Sequence, residues 1–189
     1  IKFINNIPFY GVAICFIDHP EVKKLISTIK DRRVITYGYS NEADIQIINL
    51  EYKKNKAYFQ IHKKHDEKYF KFKLPMYGDH NVANATAAIT VAFHLKIPFE
   101  NIKKGLENFK GVKRRFTKVY TWNGIDIIDD YAHHPVEISA VLSAARKYTS
   151  GRVIVVHQPH RYSRLSNLII DFSKCFDEAD IVGITPVYG

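Results

Sequence analysis

An α/β fold in two units, the second a doubly wound Rossmann-like arrangement, is predicted by three features of the 189-residue sequence. Short apolar runs alternate with amphipathic, helix-like stretches along the chain. Ionisable residues crowd into the turns that directly follow two of those runs, "DDYAHHP" after "GIDII" and "HQPHRYSR" after "RVIVV". A cationic stretch, "GVKRRF", stands between the two halves. The boundary is placed there, with residues 1–112 forming one unit and 113–189 the other.

Each element has a local reason. "YGVAICFI" reads as a buried strand, and "DHPEVKKLISTI" as the helix after it, with Asp18 as its cap and Pro20 in its first turn. "RVITYG" is a further short strand. Of the three runs "ADIQIINLEY", "KAYFQIHK" and "KYFKFKLP", the last two alternate apolar and polar residues, which predicts half-exposed antiparallel strands. "GDHNVANATAAITVAFHLKI" and "PFENIKKGLENF" read as helices, the first capped by Asp79. In the second unit, Asn123-Gly124 between two strand-like runs signals a hairpin. The helix from Pro135 places Ile138, Val141, Leu142 and Ala145 on one face. "GRVIVVHQ" is β-branched, as a central parallel strand would be, and "ADIVGITPV" is a second strand. Between them, "RLSNLIIDFSKCF" predicts one amphipathic helix with Leu165, Leu168, Ile169, Phe172 and Phe176 in register.

Composition narrows the function classes. The longest apolar runs are too short to cross a bilayer, and the opening residues do not read as a secretion signal, so a cytoplasmic protein without membrane contact is expected. Cys15 and Cys175 sit in apolar surroundings and are expected to be buried reduced thiols. The formal charge of +9 raises a nucleic-acid partner, but the lysines are scattered among Asp and Glu, the pattern of a solvated surface. The expectation is therefore no nucleic-acid partner. Arginine is used sparingly: of eight, Arg114, Arg115, Arg161 and Arg164 fall in the two motif regions. A planar bidentate donor suits phosphate or carboxylate.

In a doubly wound fold, ligands bind at the carboxyl ends of the strands. Asp130, His133 and His134 are thereby expected to face His160, Arg161 and Arg164 across one crevice. Taken singly, each has a structural explanation: Asp at a strand end caps helices, His-Pro forms turns, and His157 and His160 can be satisfied interior histidines. Two strand-end loops carrying this much charge point to a binding edge. The histidines are a poor metal site, because adjacent imidazoles diverge, no thiolate joins them and the arginines repel a cation. In "YGDHNVANATAAI", Asn81 and Asn84 share a helix face beside His80, and Ala85, Ala87 and Ala88 keep the helix thin. Amides that donate and accept at once suit a purine edge. An Ala-rich packing helix is the alternative.

"NNIPFYGVAICFIDHP", "GDHNVANATAAI", "GVKRRF", "DDYAHHPVEI" and "QPHRYSR", in this order, resemble stretches of the Mur ligases of bacterial peptidoglycan synthesis, in the branch that handles L-alanine. The resemblance covers essentially the whole chain and implies the rear part of a central ATPase domain followed by most of a C-terminal amino-acid-binding domain. It implies ATP-dependent joining of L-alanine to UDP-N-acetylmuramate through an acyl phosphate, with ATP and Mg2+ as cofactors. It further implies that His80, Asn81 and Asn84 contact adenine, that Arg115 reaches the ATP phosphates, and that Asp130 binds the ribose or orders the hinge. His133 or His134, with His160, Arg161 and Arg164, would hold L-alanine, an arginine clamping its carboxylate and a histidine orienting or deprotonating its amine. The sequence departs from the family in one respect: it contains no G-x-x-x-x-G-K-[ST] loop. That loop, the magnesium ligands and the UDP-binding domain are expected upstream of Ile1, and the chain alone is expected to be inactive. Two other readings stay open, a tripeptide-recycling relative and a non-catalytic nucleotide- or polyanion-binding module.

Overall fold

The computed structural model describes residue 4 and residues 6–53, 56–64 and 66–189. They divide into two compact units, Ile1–Met76 with His80–Lys110, and Tyr77–Asp79 with Gly111–Gly189.

The first unit holds a five-stranded sheet in the order β1-β2-β3-β4-β5, with β1 at Val12–Phe16, β2 at Arg33–Gly38, β3 at Ile45–Lys53, β4 at Lys56–Lys63 and β5 at Tyr69–Leu74. β1, β2 and β3 run parallel. β3–β4 and β4–β5 are antiparallel, as the alternation predicted. Helix α1 (Pro20–Ile26) links β1 to β2. Helices α2 (Asp79–His94) and α3 (Phe99–Glu107) complete the core, in which Phe59, Ile61, Leu74, Val82 and Ile89 are almost wholly removed from solvent. Thr86 and Thr90 are buried in α2 without penalty, since each hydroxyl donates to the carbonyl four residues back, at 2.8 and 2.7 Å.

Asp18 does not cap α1; the N-cap is His19, which makes no side-chain capping bond. The Asp18 carboxylate instead accepts the main-chain N–H groups of Tyr39 (2.6 Å) and Ser40 (3.0 Å) past the end of β2. Gly38 makes room for it, because a Cβ there would stand 2.5 Å from Asp18 Oδ2.

In the second unit, β6 (Thr117–Trp122) and β7 (Ile125–Asp129) form an antiparallel hairpin. Its turn residues Asn123 and Gly124 both have positive φ, +48° and +79°, the conformation that Asn-Gly takes at least cost. The Lys118 ammonium, then the Tyr148 and Thr121 hydroxyls, hold the Asp126 carboxyl down at about 2. A carboxylate depressed in the folded state stabilises it above the unfolded pKa, and that contribution fades as pH falls toward the folded value. The hairpin is therefore expected to lose this support between about pH 4 and about pH 2. A carboxyl NMR titration placing the Asp126 midpoint near 4 would contradict it.

Helix α4 (Pro135–Tyr148) follows β7, and β8 (Ile154–His157) pairs in parallel with β9 (Ile181–Ile184). Ile138, Leu142, Val153, Phe172 and Cys175 make the core of this unit. Cys15 and Cys175 are free and buried, and burial pushes both thiols up. Three expectations need correction. The predicted single helix after β8 is two short ones, α5 (Tyr162–Asn167) and α6 (Ile169–Phe172), broken at Leu168 where φ reaches −121°. The break leaves Ile169 exposed, while Leu165, Leu168, Phe172 and Phe176 still pack on the core. Among the described residues β8 pairs with β9 alone and is open on one face, with Ile154 and Val156 exposed, and β7 belongs to a separate sheet.

Candidate functional site

The loops after β7 and β8 do converge, although their strands lie in different sheets: the His133 and His160 rings are 6.4 Å apart. Each loop is built by its own main-chain bonds. After β7, both Asp130 oxygens are engaged, Oδ2 by the Phe116 N–H and Oδ1 by the Ala132 N–H, each at 2.7 Å. Asp130 thus fastens the basic junction to the end of the strand. Around it the backbone is unusual, since Gly111, Arg114 and Phe116 all have positive φ, at +80°, +59° and +48°. Arg114 pairs with Asp129 at 3.3 Å and lies 4.7 Å from the Tyr131 ring.

His134 is the N-cap of α4, its Nδ1 accepting the Val136 N–H at 3.4 Å. That engagement makes it the more structural of the two adjacent histidines. His133 stands differently: its Nδ1 lies 2.9 Å from the Tyr131 carbonyl, which can only accept, so the proton of that bond belongs to Nδ1 and the lone pair to Nε2. Glu137 was not singled out by sequence reasoning. Its Oε2 accepts the N–H groups of His133 (3.1 Å) and His134 (3.3 Å), and its Oε1 is 3.9 Å from the Arg115 guanidinium. Burial alone would raise the Glu137 carboxyl; the His133 amide and imidazole, the His134 amide and Arg115 outweigh it and hold the group below its ordinary value. The usable signal was the position of Glu137 in the first turn of a helix beginning His-Pro.

After β8, the chain is tied to the segment following β9. Tyr188 N–H donates to the Pro159 carbonyl, Arg161 N–H donates to the Tyr188 carbonyl, both at 2.8 Å, and the His160 ring stacks on Tyr188 at 5.5 Å. Arg161 is held at φ +69°, a strained value for a residue with a Cβ, and its side chain is exposed. Arg164 donates to the His160 carbonyl at 3.3 Å. His157 lies beneath, buried between Phe172 and Phe176; burial, and then the nearby His133, push its imidazole down. His157 thus belongs to the interior of the unit.

In the first unit, His80 is half-buried, Asn81 is buried at 7% exposure and Asn84 is exposed. The two amides share a helix side, but Asn84 is the one open to solvent. Among the described residues no group of three or more His, Cys, Asp or Glu is placed to hold a metal ion. No described helix is long and apolar enough to cross a membrane.

What this arrangement offers is imidazoles on two converging loops that also carry arginines, groups suited to a small zwitterion or an anion. Known proteins resemble the chain that carries it. Residues 1–92 match the Mur ligase middle domain, and residues 114–187 match the Mur ligase, glutamate ligase domain. A UDP-N-acetylmuramate–L-alanine ligase from Roseobacter denitrificans is 57% identical over all of this chain and 40% of its own length. One from Bartonella henselae is 54% identical over 99% of this chain and 40% of its own length. The chain therefore spans about 40% of the length of these relatives. A crystal structure of the Thermotoga maritima UDP-N-acetylmuramate–alanine ligase superposes with a TM-score of 0.74 at 28% identity, covering 94% of this chain and 38% of that one. The MurF ligase of the same organism, solved with ADP, shares the fold at TM-score 0.72 and 18% identity, covering 92% of this chain and 40% of that one. With both domain matches in chain order and the strand-end loops built as described, the chain belongs to the Mur ligase family.

Proposed function

We propose that this chain is the rear of the central domain and most of the C-terminal domain of a cytoplasmic ligase that joins L-alanine to UDP-N-acetylmuramate at the expense of ATP, in cell-wall synthesis. The observation that carries the reading is identity of 57% along the entire chain with a relative of that name. The domain limits proposed are 1–112 and 113–189.

The chemistry assigns the roles. The muramate carboxylate attacks the γ-phosphate of ATP, giving an acyl phosphate and ADP. The amine of L-alanine then attacks the acyl carbon and phosphate leaves. Arg115 neutralises phosphate charge, and Asn84, with His80 and Asn81, contacts adenine. Asp130 acts on the hinge side of its two proposed roles, because both its oxygens already hold main-chain amides. Arg161, with Arg164, clamps the alanine carboxylate beside His160. His133 takes the proton that the alanine ammonium must lose, through Nε2, while His134 orders the turn. Among the described residues no group of three or more His, Cys, Asp or Glu is placed to hold Mg2+.

The test is a substrate panel on the full-length enzyme that contains this chain. Phosphate release with ATP, UDP-N-acetylmuramate and L-alanine, and none when a tripeptide replaces L-alanine, is the expected result. Turnover with the tripeptide alone would assign the chain to the recycling relative. Salt-sensitive polyanion binding without turnover would assign it to a binding module.

A further inference from the structure

We propose that Glu137 is a positioning residue that seats the His133 imidazole and the Arg115 guanidinium on one carboxylate; this rests on the roles given to His133 and Arg115 above. A glutamate in the first turn of a helix has an ordinary task, which is to accept the N-cap amide. Glu137 does this for His134 at 3.3 Å. Three further contacts exceed that task. Oε2 also accepts the His133 amide at 3.1 Å and stands 3.6 Å from His133 Nδ1, and Oε1 stands 3.9 Å from Arg115.

The consequence is directional. With Nδ1 held between the Tyr131 carbonyl and Glu137, the ring presents Nε2 as its free acceptor. When Nε2 takes a proton from the alanine ammonium, the nitrogen lone pair of the amine is released for attack. The positive charge gained by the imidazole forms beside a fixed carboxylate, an arrangement like the one that stabilises the imidazolium in serine hydrolases. Arg115 is held more loosely, at the limit of an ion pair, and can exchange Glu137 for a phosphate oxygen without breaking a tight contact.

Glu137→Gln in the full-length ligase separates positioning from capping. The amide oxygen still accepts the two main-chain N–H groups, so the melting temperature is expected to stay within about 2 °C of the parent. Loss of the charge is expected to lower kcat roughly tenfold or more while KM for L-alanine and for ATP change less than about threefold. In a His133→Ala background the same substitution is expected to lower kcat less than about threefold, because the imidazole that the carboxylate supports is gone and Arg115 is held only at the limit of an ion pair. A parental kcat in Glu137→Gln beside an impaired His133→Ala overturns this proposal alone, leaving Glu137 as a cap. An undiminished loss in the His133→Ala background also overturns it. A parental kcat in His133→Ala overturns the role of His133 itself, and this proposal with it.

Discussion

Arg161→Ala in the full-length ligase is expected to raise KM for L-alanine about 100-fold, with KM for ATP changed less than about threefold. A charge-assisted hydrogen bond to a carboxylate contributes about 1.5–3 kcal/mol, and a bidentate guanidinium makes two of them. The backbone is held at φ +69° by the Tyr188 carbonyl, and no ion pair among the described residues takes the guanidinium. Alanine also carries a Cβ, so the substitution adds no backbone strain and its effect reads on the side chain alone. Arg161→Lys keeps the charge without the fork and should recover only part of the loss. A rise in KM for ATP with alanine unaffected would reject the assignment.

Asp130→Ala is expected to destabilise the second unit by about 3 kcal/mol. The carboxylate accepts two main-chain N–H groups at 2.7 Å, and one of them belongs to Phe116, a residue at φ +48°. Removing the acceptor frees a strained residue and leaves two amides without their partner. Asp130→Asn, which retains one carbonyl oxygen, should lose roughly half as much. Urea unfolding of the 189-residue chain, followed through its single tryptophan, Trp122 in β6, measures this directly. Unchanged stability would return Asp130 to a purely nucleotide-binding role.

The features legible in the sequence were those whose cause is local. The Asn123-Gly124 turn needs only two residues that tolerate positive φ, and the alternation in β4 and β5 needs only one buried face. Distant partners were not legible. Asp18 serves amides 21 and 22 residues away, so its place before a helix suggested a cap that does not exist. The periodicity of "RLSNLIIDFSKCF" continues across Leu168, and nothing in the pattern marks the break there. The convergence of His133 with His160 followed from topology, yet the expected route, adjacent strands of one sheet, was not the one used. Glu137 escaped notice because its several partners, Arg115 among them, appear only once the chain is folded.

Arg115 stands between two residues, Arg114 and Phe116, that both occupy left-handed backbone conformations. Its aim is consequently written in the orientation of the flanking peptide planes more than in side-chain packing. Evolution can vary such a site only along a narrow path. At 114 and 116 the replacements that keep the path of the chain are the few residue types at ease with positive φ, such as Asn, Asp and Gly. Drift toward a β-branched residue at either position would turn the cation away without touching it.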